Sequence, residues 1–146
     1  MTYRILLAAA LAATALGACK GDDEPDADLT AEELLQAYVW QVSAFVEEGI
    51  ETEVAADDCR RDDSLDFRED GTLVIDYNSD RDCGGAADET PLEATYIFTQ
   101  EGGLETLRIS YVDGDNTFSY TETILLITED ELRLGDEDES TVYRPL

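Results

Sequence analysis

Ser64-Leu65-Asp66-Phe67-Arg68-Glu69-Asp70-Gly71-Thr72-Leu73-Val74-Ile75-Asp76-Tyr77 is the stretch that decides the fold class. Leu65 and Phe67 alternate with polar residues, Asp70-Gly71 tolerates the positive φ of a tight turn, and Leu73, Ile75 and Tyr77 resume the alternation. A period of two sends successive side chains to opposite faces, so the stretch reads as two half-buried strands joined by a hairpin.

Working outward, the pattern repeats. Downstream, Tyr96 and Phe98, then Leu107, Ile109 and Tyr111, alternate with polar residues, and Glu101-Gly102-Gly103 and Asp113-Gly114-Asp115-Asn116 supply turns. Further strands are expected over residues 117–128, 131–134 and 141–144, separated by Thr128-Glu129-Asp130 and Gly135-Asp136-Glu137. Upstream, Tyr38, Trp40, Val42, Ala44 and Val46 fall on one face of a first strand, with Gln41 and Ser43 on the other. Before it, Thr30-Ala31-Glu32-Glu33 fits a capping box and predicts a short helix carrying Leu34 and Leu35. Seven or eight short strands without intervening helices predict an all-β domain over residues 30–146. The expected architecture is an antiparallel up-and-down meander closing into a small barrel or sandwich, with one short N-terminal helix.

Residues 1–18 read as a lipoprotein signal peptide. Met1 to Arg4 carries one positive charge, and the twelve residues from Ile5 to Leu16 include eleven Ile, Leu or Ala. That run is shorter than the about 20 residues a membrane span needs. Leu16-Gly17-Ala18-Cys19 then resembles the lipobox of bacterial lipoproteins, with Cys19 as the lipidated residue and new N-terminus. Diacylglyceryl transfer to the thiol and acylation of the freed amine, with palmitate for example, give two or three chains at about 0.8 kcal/mol per buried methylene. Residues 19–29 are polar, acidic and without apolar periodicity, which suits a tether. Lys20 at the second position argues against inner-membrane retention, so the outer membrane is the expected location, on either face.

With lipidation using one of three cysteines, Cys59 and Cys83 are left as an even pair in an oxidising compartment, and a disulfide is expected. It would close a loop of about 24 residues and stabilise by about 3 kcal/mol on the loop-entropy model. A metal or redox pair is the competing reading, but the spacing is far from Cys-x-x-Cys and the chain has no His.

The charge narrows the partners. The chain has 36 Asp and Glu against 9 Lys and Arg, a net charge of −27, which excludes nucleic acid as a partner because phosphate contacts need a cationic patch. Membrane attachment is left to the lipid. Without His, a Ser-His or Cys-His nucleophile arrangement is closed off, and no catalytic residue, cofactor or metal site is expected. Calcium loops over Asp66–Gly71 and Asp113–Asn116 fail in detail. Arg68 takes the third position and Tyr77 the twelfth in the first, and the second is two residues short of its acid run. Carboxylate pairs suited to glycoside hydrolysis carry no signal, because so many acids produce such pairs by chance.

Taken together, Leu34-Leu35, Trp40-Gln41-Val42, Cys59-Arg60-Arg61-Asp62-Asp63-Ser64-Leu65-Asp66-Phe67, Glu69-Asp70-Gly71-Thr72-Leu73 and Cys83 resemble the small lipocalin-like lipoproteins of Bacteroidota envelopes. The resemblance runs from about Leu34 to Tyr143 and is specific over residues 59–83. One departure is Ala37-Tyr38-Val39, where family members commonly carry a Gly before the tryptophan. The resemblance implies a lipocalin-like barrel on a lipid anchor, with a small or apolar ligand as the expected partner and ligand-binding residues unassigned. Trp40, Tyr96, Phe98 and Tyr111 are the aromatic candidates either to line a ligand cavity or to fill the barrel. The alternative is a non-catalytic structural or protein-interaction lipoprotein with a filled core.

The cation usage of eight Arg to one Lys, Lys20, on so acidic a chain looks like the style of a halophile. Screening over about 3 Å at 1 M salt relieves self-repulsion. The thermal midpoint followed by circular dichroism is therefore expected to rise from low salt to molar KCl; an unchanged midpoint rules the halophile reading out.

Overall fold

In the computed structural model, residues 29–77 and 91–146 are described. Among them are one helix, α1 (Ala31–Ala37), and nine strands: β1 (Val39–Glu47), β2 (Ile50–Glu53), β3 (Ser64–Phe67), β4 (Thr72–Asp76), β5 (Leu92–Glu101), β6 (Leu104–Asp113), β7 (Asn116–Ile127), β8 (Leu132–Gly135) and β9 (Glu139–Pro145). A 3-10 turn, Cys59–Asp62, precedes β3. The first and last strands pair from Trp40↔Pro145 to Glu47↔Glu139, so the meander closes on itself as a barrel. Eight strands, β1 and β3 to β9, make up its wall. β2 is the extra strand. It pairs with Ala44–Glu47 of β1, on the edge whose other half, Val39–Gln41, pairs with β3.

The expected hairpins are present at the expected turns, β3 to β4 across Asp70-Gly71, β5 to β6 across Gly102-Gly103, and β6 to β7 across Gly114-Asp115. The sequence does not predict β2, because all four of its residues are exposed and no apolar alternation marks it. Its signal is the two-residue loop Glu48-Gly49, where φ values of 52° and 74° give the paired left-handed geometry that joins twisted strands tightly.

Two bulges correct the alternation read from the sequence. On β1, the pairing passes from Val42↔Tyr143 to Ala44↔Val142, leaving Ser43 as an extra residue. A bulge offsets the two-residue period by one, so the single face assigned to Tyr38, Trp40, Val42, Ala44 and Val46 breaks in the middle. Trp40 belongs to the main core, Val42 and Phe45 line the interior, and Ala44 and Val46 form a separate cluster with Val142. Arg133 explains how that outward cluster stays buried. Its Nη2 donates to Glu51 Oε2 at 2.7 Å and to Glu131 Oε1 at 2.9 Å, spanning β9 and β1 so that its apolar stem covers Val142, Ala44 and Val46. On β7, the shift between Ile124↔Leu134 and Leu126↔Arg133 leaves Leu125 extra, which lets both Ile124 and Ile127 face the core.

The barrel has one closed end. There α1 starts at the capping box: Thr30 N donates to Glu33 Oε2 at 2.8 Å and Glu33 N to Thr30 Oγ1 at 3.3 Å. Leu35 joins Trp40, Phe67, Leu73, Leu107 and Leu132 in the fully buried core, and Trp40 Nε1 donates to the Leu35 carbonyl at 3.0 Å. The Tyr96 hydroxyl accepts from Gln36 Nε2 and donates to the Arg68 carbonyl, both at 2.9 Å, tying helix to hairpin. The opposite end carries the Glu48-Gly49 loop, the Gly114-Asp115 loop and the turn from Gly135 to Glu139.

Gly135 is the glycine this end cannot replace. At φ 132°, a Cβ would collide with the Glu139 carbonyl oxygen and stand 2.8 Å from Ser140 Cα. Gly135→Ala is expected to lower unfolding free energy in urea by about 3 kcal/mol. Gly114→Ala, which meets nothing within 4 Å, is expected to cost about 1 kcal/mol from its left-handed backbone alone.

Candidate functional site

At the end opposite α1 the barrel keeps a cavity of about 190 Å³. Its apolar wall is Val42, Phe45, Leu65, Ile75, Ile109 and Leu134; its polar wall includes Asp63, Tyr77, Tyr120, Glu122 and Tyr143, with Arg60 at the edge. Phe45 reaches it because of the Ser43 bulge, and Tyr143 because Val142 faces outward. Tyr120 and Glu122 share the inward parity of Ile124 on β7, which puts a carboxyl on an otherwise apolar strand face. Tyr77 and Tyr120 stay 53% and 41% exposed, so they stand at the entrance. Phe45, Glu122, Leu134 and Thr141 also border a neighbouring recess at the β8 to β9 turn.

The carboxyls are the unusual members. Burial pushes the Asp63 carboxyl up to about 6, with Arg60 opposing and Asp58, Asp62 and Asp76 adding to the rise. Burial also raises Glu122, helped by Asp136. Among the described residues neither side chain takes part in a hydrogen bond or ion pair, although the backbone of Asp63 is engaged through its carbonyl, which accepts from Val42 N at 3.0 Å. The tyrosines respond to the same surroundings. Tyr120 is pushed up to about 12 by burial with Tyr77 and Glu122 contributing, and Tyr143 is raised by burial, then by Glu122 and Tyr120. Tyr77 is raised by burial and by Asp63. Glu122 thus acts on Tyr120 and Tyr143, and Asp63 on Tyr77, from the walls of one cavity.

Arg60 is already committed. Its Nε and Nη2 donate to the two Asp58 carboxylate oxygens at 3.1 and 3.0 Å, holding Asp58 down to about 2, and its guanidinium lies 4.1 Å from the centre of the Phe45 ring. Asp58 in turn caps the 3-10 turn by accepting from Arg60 N at 2.9 Å.

The aromatic candidates named from the sequence lie elsewhere. Trp40 and Tyr96 fill the closed end, Phe98 packs against that core, and Tyr111 stacks on Phe118 at 5.2 Å. None of them lines this cavity. Cys19 and Cys83 lie outside the described residues, and Cys59 opens the 3-10 turn. Among the described residues no three His, Cys, Asp or Glu side chains gather as a metal site, and no helix is long and apolar enough to cross a membrane. In the first rejected calcium loop the acids serve the hairpin: Asp70 Oδ1 accepts from Thr72 N at 2.9 Å and Asp66 Oδ2 from Arg68 Nε at 3.1 Å.

Asp63 gives the site a pH signature. With its pKa raised in the folded state, the native protein holds a proton that the unfolded chain releases between about pH 4 and 6, so stability falls as pH rises through that window. Asp58, held down to about 2, acts only below it. Asp63→Asn is expected to flatten this stretch of the stability profile and to raise the midpoint at pH 7; an unaltered profile in urea titrations contradicts the assignment.

Comparison with curated proteins and with solved structures returns no match. A family model described as "Lipocalin-like domain" does match, over residues 38–134. That span is more than half of the 146 residues and runs from β1 into β8, which takes in seven of the eight strands of the barrel wall and most of the cavity lining. The chain belongs to the lipocalin-like domain family.

Proposed function

We propose that this protein is a lipid-anchored envelope lipoprotein, of the type found in Bacteroidota, that binds a small molecule in the open end of its barrel. The cavity of about 190 Å³ carries the binding half of this reading. It falls below the roughly 300–1,000 Å³ of sites for drug-sized ligands, so the ligand is small. The anchor half rests on Leu16-Gly17-Ala18-Cys19, with Cys19 acylated, and Lys20 in place of an Asp argues against retention at the inner membrane. α1 begins at the closed end, so the described chain enters the barrel on the side away from the cavity. A Cys59–Cys83 disulfide would brace the entrance to β3, directly beside Asp63.

Binding without catalysis is the chemistry this cavity suits. The chain has no His, so a Ser-His or Cys-His pair is closed to it, and Asp63 and Glu122 face the cavity as charges that a ligand can meet. A second reading, a structural or interaction lipoprotein with a filled core, is favoured by the solid packing of Trp40, Phe67, Leu73 and Leu107 at the closed end. Native mass spectrometry of the full-length protein separates the two. A reproducible small-molecule adduct is expected, and Thr141→Phe, which extends an aromatic ring from the cavity wall, is expected to abolish it. A bare protein mass from native membranes and after exposure to envelope extracts favours the filled-core reading.

A further inference from the structure

We infer that the cavity selects small organic cations: a protonated amine seated between Asp63 and Glu122, with an apolar body against Phe45, Val42 and Ile109. The inference rests on the small-molecule reading above and names the ligand class.

Four observations converge. Asp63 and Glu122 stand on different walls of the same cavity, ahead of β3 and midway along β7, and among the described residues neither carboxyl is hydrogen-bonded or ion-paired, with Arg60 acting on Asp63 only at longer range. Partly buried carboxylates without a partner are costly unless something compensates them, and an ammonium supplies both the charge and the donors. Tyr77, Tyr120 and Tyr143 share that cavity, and aromatic faces attract cations through their quadrupoles. Phe45 shows the same behaviour within the chain, since its ring already carries the Arg60 guanidinium at 4.1 Å. Finally, a net charge of −27 draws cations toward the surface and repels anions.

An anionic ligand would need Arg60, the cation in the cavity wall. Asp58 already holds it through both carboxylate oxygens, so the pair is neutral and the charge left facing the cavity is that of Asp63 and Glu122. A neutral ligand leaves both carboxyls uncompensated.

The test uses three probes of matched shape, 2-phenylethylammonium, 2-phenylethanol and 3-phenylpropionate, titrated calorimetrically into the full-length protein in neutral detergent at pH 7.5. Association with the acidic surface is separated from binding in the cavity by Thr141→Phe, which removes only the latter. The ammonium is expected to bind at least roughly tenfold tighter than the alcohol, in line with a charge-assisted contact in a partly dry site, and the carboxylate not at all. Glu122→Gln and Asp63→Asn are each expected to shrink the preference for ammonium over alcohol several-fold. Both replace a desolvated acid by a neutral isostere, so both are expected to fold at least as stably as the parent. If the alcohol or carboxylate binds as tightly as the ammonium and Thr141→Phe removes that binding, the cation assignment is overturned while small-molecule binding stands. If none of the three shows binding sensitive to Thr141→Phe, the cation assignment fails together with the binding reading beneath it.

Discussion

The pairing of β1 with β9 is the constraint on which the rest of the molecule depends. It joins residues about a hundred positions apart, from Trp40↔Pro145 to Glu47↔Glu139, and removes the open edges that a linear meander would expose. A closed sheet has an inside, and the bulge at Ser43 within this seam decides what faces it. One extra residue turns Phe45 toward the cavity and sends Ala44 and Val46 outward beside Val142. Without that offset, β1 would present Ala44 and Val46 to the interior and Phe45 to solvent. The bulge therefore builds part of the cavity wall and creates the outer cluster that Arg133 has to cover.

The interior divides into two chemistries along the barrel axis. Toward α1, large apolar side chains interlock, and the polar groups present have partners: Trp40 Nε1 on the Leu35 carbonyl, the Tyr96 hydroxyl between Gln36 and Arg68. Toward the other end, Asp63 and Glu122 lose part of their hydration without gaining a hydrogen bond or ion pair from the protein. Polar groups in a folded interior are normally satisfied, so the contrast between the ends is informative. One end is settled by packing alone. The other is arranged around space, charge and aromatic hydroxyls, which is what a binding end requires.

Much of the fold is legible in the sequence because tight turns and period-two alternation are local signals. Asp70-Gly71 and Gly102-Gly103 mark their hairpins unaided, and Thr30 with Glu33 announces α1. The bulges at Ser43 and Leu125 are not legible, since each is a two-against-one mismatch with a strand distant in sequence. β2 escapes because Ile50-Glu51-Thr52-Glu53 is exposed throughout and leaves no apolar trace. Of the cavity, Glu122 could have been found: Tyr120, Glu122 and Ile124 share parity, and a carboxylate on an apolar strand face is a signal. Asp63 could not, since it sits in a run of acids and only the turn before β3 brings it inward. The aromatic side chains that attract attention in the sequence, Trp40 and Tyr96, are those the closed end consumes.

The claim that most needs testing is that the open end holds a ligand and does not merely tolerate a gap. A crystal structure of the full-length protein, purified without exchange of whatever it carries, addresses this directly. Expected is ordered non-protein density within hydrogen-bond reach of Glu122 or Asp63 and flanked by Tyr143 and Phe45. Contradiction would be a collapsed cavity, with Phe45, Tyr120 and Tyr143 packed on one another and both carboxyls turned out to solvent.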